Sequence, residues 1–326
     1  MNREKILVTF PLPMEGLQEL EEQFDVIRYK KGSMPKTDLL NSIRDCSGII
    51  ATAIKIDEEV MDAAPKLRII SVYGAGYDNI DIKAATERGI LVTNIPDVVT
   101  DSTAELTMGL ILDVMRRISE TDRMLRRGDS SSWGMLNNLG RVLYGKELGI
   151  VGMGRIGRAV AKRASAFGMR ISYYNRKRLD PIIEMELGVA YKRLDDLLKA
   201  ADVVSIHTPL TKETKHLIGE RELSIMKPSA YLINTARGTV IDEKALINKL
   251  AEGKLAGAGL DVYEKEPRIS PGLLKMDNVV LTPHIGTNTM ETCLHMTMES
   301  AQNIIDFFSD RHPFHAVNPQ VFRGQA

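Results

Sequence analysis

Three ionisable side chains, Arg237, Glu266 and His284, each stand a few residues beyond a short β-rich run. Arg237 closes Tyr231-Leu232-Ile233-Asn234-Thr235-Ala236, Glu266 follows Gly259-Leu260-Asp261-Val262-Tyr263, and His284 follows Val279-Val280-Leu281-Thr282-Pro283. A guanidinium keeps its charge at any working pH, and an imidazole changes charge near neutrality. Such a set could hold an anion and move a proton. Singly, each has a plain explanation: a surface arginine, a solvated glutamate, a capping histidine. All three at successive strand ends, in a chain that also carries a nucleotide-binding turn, point to an active site.

That turn is Gly152-Met153-Gly154-Arg155-Ile156-Gly157. It follows the apolar run Leu148-Gly149-Ile150-Val151 and opens a helical stretch from Arg158 to Ala164. The first glycine permits the tight turn, the second lets the backbone approach a pyrophosphate, and the third allows close helix–strand packing. The helix N-terminus adds N–H groups and a positive dipole end. Alone, the pattern also describes an ordinary βα turn; the flanking strand and helix favour a dinucleotide. The next strand, Met169–Tyr174, should end on an acidic residue for a ribose 2′-hydroxyl. Asn175 stands there instead, followed by Arg176-Lys177-Arg178. A neutral residue and three cations would attract a 2′-phosphate, which favours NADP(H) with NAD(H) possible. A solvated basic loop is the alternative.

About 150 residues precede the turn, so another domain must lie upstream. The 326 residues suggest two domains. Hydrophobic residues make up 44%, and 43 basic residues balance 43 acidic ones, so charge gives no argument for nucleic-acid or membrane binding. The two cysteines, Cys46 and Cys293, are far apart and in no metal-like spacing, which favours a reducing cytoplasm. No metal site is expected; His312-Pro313-Phe314-His315 reads as a surface tail. Neither a signal-peptide core nor an apolar run of membrane-spanning length occurs, so a soluble cytoplasmic protein is expected.

Short β-rich runs alternate with amphipathic helical stretches, the pattern of parallel α/β sheets. Strands are expected near 5–10, 48–53, 68–73 and 90–93, with helices over Lys36–Cys46 and Asp57–Ala64. A second set near 147–151, 169–174, 202–206, 230–234, 256–261 and 278–281 gives six strands for a dinucleotide-binding sheet. The domain join is expected at Pro96–Thr100. Asp101 or Ser102 should then cap a long helix to about Arg127, with Glu105 at capping-box spacing. Its wide apolar surface hints at packing between domains or subunits. Gly128–Ser132 reads as a loop, and a helix from about Thr289 to Phe308 could return to the first domain.

Taken together, the segments Gly74-Ala75-Gly76-Tyr77-Asp78-Asn79-Ile80-Asp81, Thr100–Glu105, the glycine turn, Asn234-Thr235-Ala236-Arg237-Gly238-Thr239, Gly259–Tyr263 and Thr282-Pro283-His284-Ile285-Gly286 resemble the D-isomer-specific 2-hydroxyacid dehydrogenase family over nearly the whole chain. The resemblance implies an α/β protein of two parallel-sheet domains. A Rossmann dinucleotide-binding domain, 100–287, would be inserted in a discontinuous flavodoxin-like substrate domain, 1–99 and 288–326, and the protein would be a homodimer. In that family the residues matching Arg237, Glu266 and His284 form the catalytic set.

The roles expected from the resemblance follow. A 2-oxo acid would lie in the interdomain cleft, its carboxylate held by Arg237 and by backbone N–H groups of Gly74, Ala75 and Gly76, a turn whose plain alternative is an ordinary loop. His284 would bind substrate and donate the proton, with Glu266 raising its pKa. Cofactor contacts would come from Gly152 to Gly157, Asn175, Arg176, Lys177, Thr103, His207, Thr208, Pro209, Thr235, Ala236, Arg237, Asp261 (toward the carboxamide), His284 and Gly286. Lys55 could reach substrate or be solvated, and Trp133 should pack in a loop. Length and the Asn175-Arg176 pair most resemble glyoxylate/hydroxypyruvate reductases. Open alternatives are an NAD-linked dehydrogenase of phosphoglycerate or lactate type, and a nucleotide-sensing, corepressor-like binding protein.

Overall fold

Parallel pairing runs through both sheets of the computed structural model, which describes residues 3–129 and 133–323. The chain divides into two units, one of Met1–Val99 with Thr287–Ala326, the other Thr100–Gly286. The second crossing therefore falls one residue before the expected 287/288 boundary.

In the first unit the strands are β1 (Lys5–Val8), β2 (Asp25–Arg28), β3 (Gly48–Ala51), β4 (Ile69–Val72) and β5 (Leu91–Thr93), in the order β2-β1-β3-β4-β5. This is the flavodoxin-like arrangement. Strands β1, β3, β4 and β5 sit where the apolar runs predict them, whereas β2 was not expected. One face of the sheet is covered by the C-terminal helix Met290–Phe308, whose Ala301, Ile304, Ile305 and Phe307 share a core with Ile6, Val8, Ile50, Ile69 and Leu91. Arg68 stacks its guanidinium 5.1 Å from the ring centres of both Phe307 and Phe308.

The second unit holds β6 (Glu147–Val151), β7 (Arg170–Tyr174), β8 (Val189–Tyr191), β9 (Val203–Ile206), β10 (Tyr231–Asn234), β11 (Gly257–Leu260) and β12 (Val279–Leu281). Their order is β12-β11-β10-β9-β6-β7-β8. This is the doubly wound dinucleotide-binding order extended by β12, with its switch point between β6 and β9. It has seven strands rather than the six expected, because the short edge strand β8 was missed.

The helix after the join departs from expectation in three ways. It begins at Thr100, so Ser102 is buried within it rather than capping it. Val99 is fixed in an apolar cluster with Ile95 and Met296, and the helix starts immediately after that anchor. Second, it is broken: Thr100–Arg116 and Ile118–Arg126 are separated by Arg117 at φ 58°. The break follows from the passage of the chain at Arg141, whose N–H takes the Met115 carbonyl at 2.8 Å. Asp113 then accepts the Ser119 N–H at 2.7 Å and starts the next helix. Third, the apolar width of Thr100–Arg116 serves its own unit. Ala104, Met108, Leu110, Ile111, Val114 and Met115 pack into the core beneath the second sheet. Of the expected 128–132 loop, Ser130 to Ser132 lie outside the described residues.

Candidate active site

Because the second sheet is parallel, every loop that leaves a strand's C-terminal end lies along one edge. The glycine turn follows β6, Asn175 to Lys177 follow β7, His207 to Pro209 follow β9, and Thr235 to Arg237 follow β10. Asp261 and Glu266 follow β11, and His284 follows β12. The edge beside the switch point is where such folds bind ligands.

Two of the three glycines are required by the packing of the turn itself. Gly152 takes φ 101°, and a Cβ there would come 2.7 Å from the His207 carbonyl. A Cβ on Gly157 would meet the Gly152 oxygen at 2.3 Å, so only glycine permits this helix–strand approach. Gly154, by contrast, faces open space. It precedes the helix Arg155–Ala166 and leaves the first turn without a side-chain cap. Open space at a helix N-terminus suits a diphosphate. The Thr208 hydroxyl oxygen is buried with no hydrogen-bond partner among the described residues, an orphaned polar atom that a bound polar ligand would satisfy. Beside it, His207 shares a 2.8 Å hydrogen bond with Ser205, and burial pushes its imidazole down to about 3. These features fit a dinucleotide along this edge.

At the end of β7, the Asn175 side-chain oxygen accepts the Met153 N–H at 2.7 Å and locks this loop to the glycine turn. Arg176 and Lys177 are exposed. The Thr211 hydroxyl and, more weakly, the Arg176 charge lower the pKa of the Glu213 carboxyl, so Arg176 stands near the loop after β9. Arg178 departs from the reading of three phosphate-seeking cations. It makes a bidentate pair with Glu184, at 2.8 and 2.7 Å.

The ionisable set is built on three strand ends. Asn234, buried at the end of β10, accepts the Ala236 N–H at 3.0 Å and donates to the Arg237 carbonyl at 2.9 Å. That double bond shapes the turn carrying Arg237. Gly238 then lets the β10 and β11 loops touch, since a Cβ there would lie 1.9 Å from the Tyr263 carbonyl carbon. Asp261, 1% exposed, organises the loop after β12. Its carbonyl accepts the His284 N–H at 2.9 Å, and its carboxylate accepts Thr282 Oγ1, Ile285 N–H and Gly286 N–H at 2.7, 2.8 and 2.9 Å. His284 is thereby held at φ 54°, a left-handed backbone that few non-glycine residues adopt. The sequence suggested neither organising role, because both depend on which loops meet.

His284 Nδ1 lies 2.8 Å from Glu266 Oε2, while Glu266 Oε1 accepts the Tyr263 N–H at 3.0 Å. The Glu266 hydrogen bond and charge raise the His284 pKa, outweighing burial and the Arg237 charge, which both lower it. For Glu266, burial acts upward, but the bond and charge from His284, the Tyr263 N–H and the Arg237 charge together lower it. Arg237, Glu266 and His284 thus feel one another's charge. With Nδ1 engaged by Glu266, Nε2 is left to exchange a proton with a ligand.

The remaining expected residues lie as follows. Thr103 is buried in the helix Thr100–Arg116, its side chain close enough that a Cβ on Gly286 would touch it at 3.5 Å. Thr235 shares a 2.9 Å hydroxyl contact with Thr107, and Pro209 accepts the Thr214 hydroxyl at 2.6 Å. In the first unit, Gly74 follows β4 at φ 150°, and Asn94 donates to the Ala75 carbonyl at 2.7 Å, which pins the Gly74–Gly76 turn. Lys55, after β3, is exposed and pairs with Asp57 at 3.3 Å. Trp133 does not pack in its loop as expected: it is 78% exposed.

Comparison with known proteins identifies the family. Residues 108–286 match the model of the D-isomer specific 2-hydroxyacid dehydrogenase NAD binding domain. A glyoxylate reductase from Thermococcus litoralis is 47% identical over 323 residues, covering 97% of both chains. The chain belongs to the D-isomer-specific 2-hydroxyacid dehydrogenase family. Among solved structures, one of a Thermus thermophilus protein aligns with TM-score 0.90 at 43% identity, over 96% of this chain and 99% of that one. A NADPH-dependent glyoxylate/hydroxypyruvate reductase from Sinorhizobium meliloti, in complex with NADP and malonate, aligns with TM-score 0.88 at 34% identity, over 98% of both chains. Membership, with glyoxylate reductases among the relatives, makes the protein an NAD(P)-dependent oxidoreductase acting on CH–OH groups. No helix among the described residues is long and apolar enough to cross a membrane.

Proposed function

We propose that the enzyme reduces a small 2-oxo acid of glyoxylate or hydroxypyruvate type to the D-2-hydroxy acid, with NADPH preferred over NADH. The observation that carries this reading is the Glu266–His284 hydrogen bond beside Arg237, at the edge that fits a dinucleotide. The reduced nicotinamide, when bound, supplies a hydride. Arg237 holds the substrate carboxylate and polarises the ketone, its charge fixed at all working pH values. His284 passes its Nε2 proton to the developing alkoxide, and Glu266 keeps the imidazole protonated toward higher pH. The 2′-phosphate preference rests on Asn175, Arg176 and Lys177, where an acidic residue is missing. Initial rates with glyoxylate and hydroxypyruvate, each with NADPH and NADH at matched concentrations, test both parts. Faster turnover with NADPH is expected; a clear NADH preference would remove the phosphate role of the basic loop, and inactivity with both acids would remove the substrate class.

The pH dependence follows from the sign of the His284 shift. Reduction needs the imidazolium, so kcat/KM falls as pH rises through a His284 pKa that Glu266 raises. Glu266→Gln removes that support, and the falling limb should move to lower pH. A limb that stays put in the pH–rate profile of this variant would deny Glu266 its tuning role.

We also propose a homodimer acting in a reducing cytoplasm. Trp133, Met135, Leu136, Leu139 and Tyr144 are 78, 97, 82, 65 and 79% exposed on one stretch, a surface a second copy would cover. Both cysteines are free thiols. Sedimentation at the mass of one 36.3 kDa chain would remove the dimer.

A further inference from the structure

Arg178 is the third cation after Asn175, yet its guanidinium is engaged by a carboxylate of its own unit. Its guanidinium grips both carboxylate oxygens of Glu184, at 2.8 and 2.7 Å, and lies over the Tyr191 ring at 5.6 Å. Glu184 is 7% exposed, and its Oε1 also accepts the hydroxyl of Tyr173 at 2.5 Å. Tyr173 is fully buried at the C-terminal end of β7, and its hydroxyl oxygen accepts the Leu179 N–H at 2.9 Å. Tyr173 and Tyr191 are cross-strand neighbours on β7 and β8, with rings edge-to-face at 5.6 Å. The buried tyrosine hydroxyl, the carboxylate and the guanidinium therefore form one network with each member satisfied.

The network closes one end of a loop whose other end is closed already. At its start, Asn175 is bonded to the glycine turn through Met153 N–H. At its close, Leu179 N–H and the Arg178 side chain are bonded to Tyr173 and Glu184. Between these two fixed ends stand Arg176 and Lys177, both exposed, while Arg178, exposed too, has its guanidinium engaged by Glu184. A flexible basic loop would lose conformational freedom on gripping a phosphate, whereas a pre-formed one loses less. Ionisation does not disturb the clamp in the working range. The Arg178 hydrogen bond, followed by that of Tyr173, holds the Glu184 carboxyl down to about 2.

We propose that Glu184, with Tyr173 and Arg178, is a positioning device for the dinucleotide 2′-phosphate: it fixes the backbone that presents Arg176 and Lys177, and so sets cofactor choice without touching the cofactor. This rests on the proposed NADPH preference, which the experiment separates from it. KM and kcat for NADPH and NADH are measured with glyoxylate in the native enzyme, Glu184→Gln, Tyr173→Phe and Arg176→Ala. Arg176→Ala removes a charge-assisted phosphate contact, and NADPH KM should rise ~10-fold or more while NADH KM stays within about 2-fold. Glu184→Gln and Tyr173→Phe, by loosening the loop, should each raise NADPH KM by about 3–10-fold with kcat and NADH KM nearly unchanged.

A merely structural role would move both cofactors together and overturn the proposal. Unchanged NADPH KM in folded Glu184→Gln and Tyr173→Phe, alongside a raised one in Arg176→Ala, would overturn the positioning role and leave the phosphate site standing. A fall in NADPH KM in Glu184→Gln would overturn it too, since a released Arg178 would then be binding phosphate itself. An unchanged NADPH KM in Arg176→Ala would refute the phosphate site and the positioning role with it. Should either clamp variant fail to fold, the other carries the test.

Discussion

Glutamine at position 284 is expected to cut turnover by about 10²–10⁴-fold, the range that one positioned acid contributes. Its amide can still donate to Glu266 Oε2, the partner that His284 Nδ1 meets at 2.8 Å. What it cannot do is release a proton to an alkoxide. Cofactor affinity should therefore stay within ~3-fold of native, because the loss is made only in the transition state. The left-handed backbone at this position, φ 54°, calls for a control. His284→Asn suits that conformation better and should lose turnover just as heavily. Steady-state rates and cofactor titration of the two variants check this, and near-native turnover in either would take the proton from His284.

A lysine in place of Arg237 should also be severe, although the charge is kept. Arg237 sits on a turn shaped by Asn234, and its guanidinium offers parallel donors matched to a carboxylate. Lysine offers a single shorter-reaching point charge. Losing one partner of a desolvated charge pair costs about 2–5 kcal/mol, roughly 30- to 4,000-fold in kcat/KM, and lysine, which keeps the charge but not the fork, should fall toward the lower end of that range. Part of that loss should appear as raised KM for the 2-oxo acid, since the carboxylate is held before the reaction as well as during it. Because lysine keeps the positive charge that lowers the His284 pKa, the falling limb of the pH profile should stay near its native position, which separates this variant from Glu266→Gln. A variant with native KM would mean that another group holds the carboxylate.

The sequence disclosed what continuous signals carry. Buried parallel strands read as apolar runs, and β6 with its glycine turn declares itself because a pyrophosphate needs glycine at fixed offsets. The two missed strands, β2 and β8, are edge strands. Asp25–Arg28 alternates exposed and half-buried residues, and Val189–Tyr191 spans three residues, so neither presents an apolar run. The helix break at Arg117 was hidden because its cause is distant: Arg141, well beyond the helix in sequence, takes the Met115 carbonyl that the helix would need. In the site, Arg237, Glu266 and His284 were legible from their places after strands. Asn234 and Asp261 as loop organisers were not, for each acts through backbone groups that only the fold brings near. Arg178 shows the same limit: three adjacent cations look equivalent until a buried glutamate claims one.

The central claim is stereospecific reduction at C2 by a hydride from the nicotinamide, with a proton delivered by His284. It is tested most directly by incubating the enzyme with hydroxypyruvate and NADPH deuterated at the transferable position, then analysing the product by mass spectrometry and chiral chromatography. The account predicts D-glycerate carrying a single deuterium at C2, formed in step with cofactor oxidation. Product without deuterium, the L-isomer, or tight cofactor binding without turnover on this or any small 2-oxo acid would contradict it.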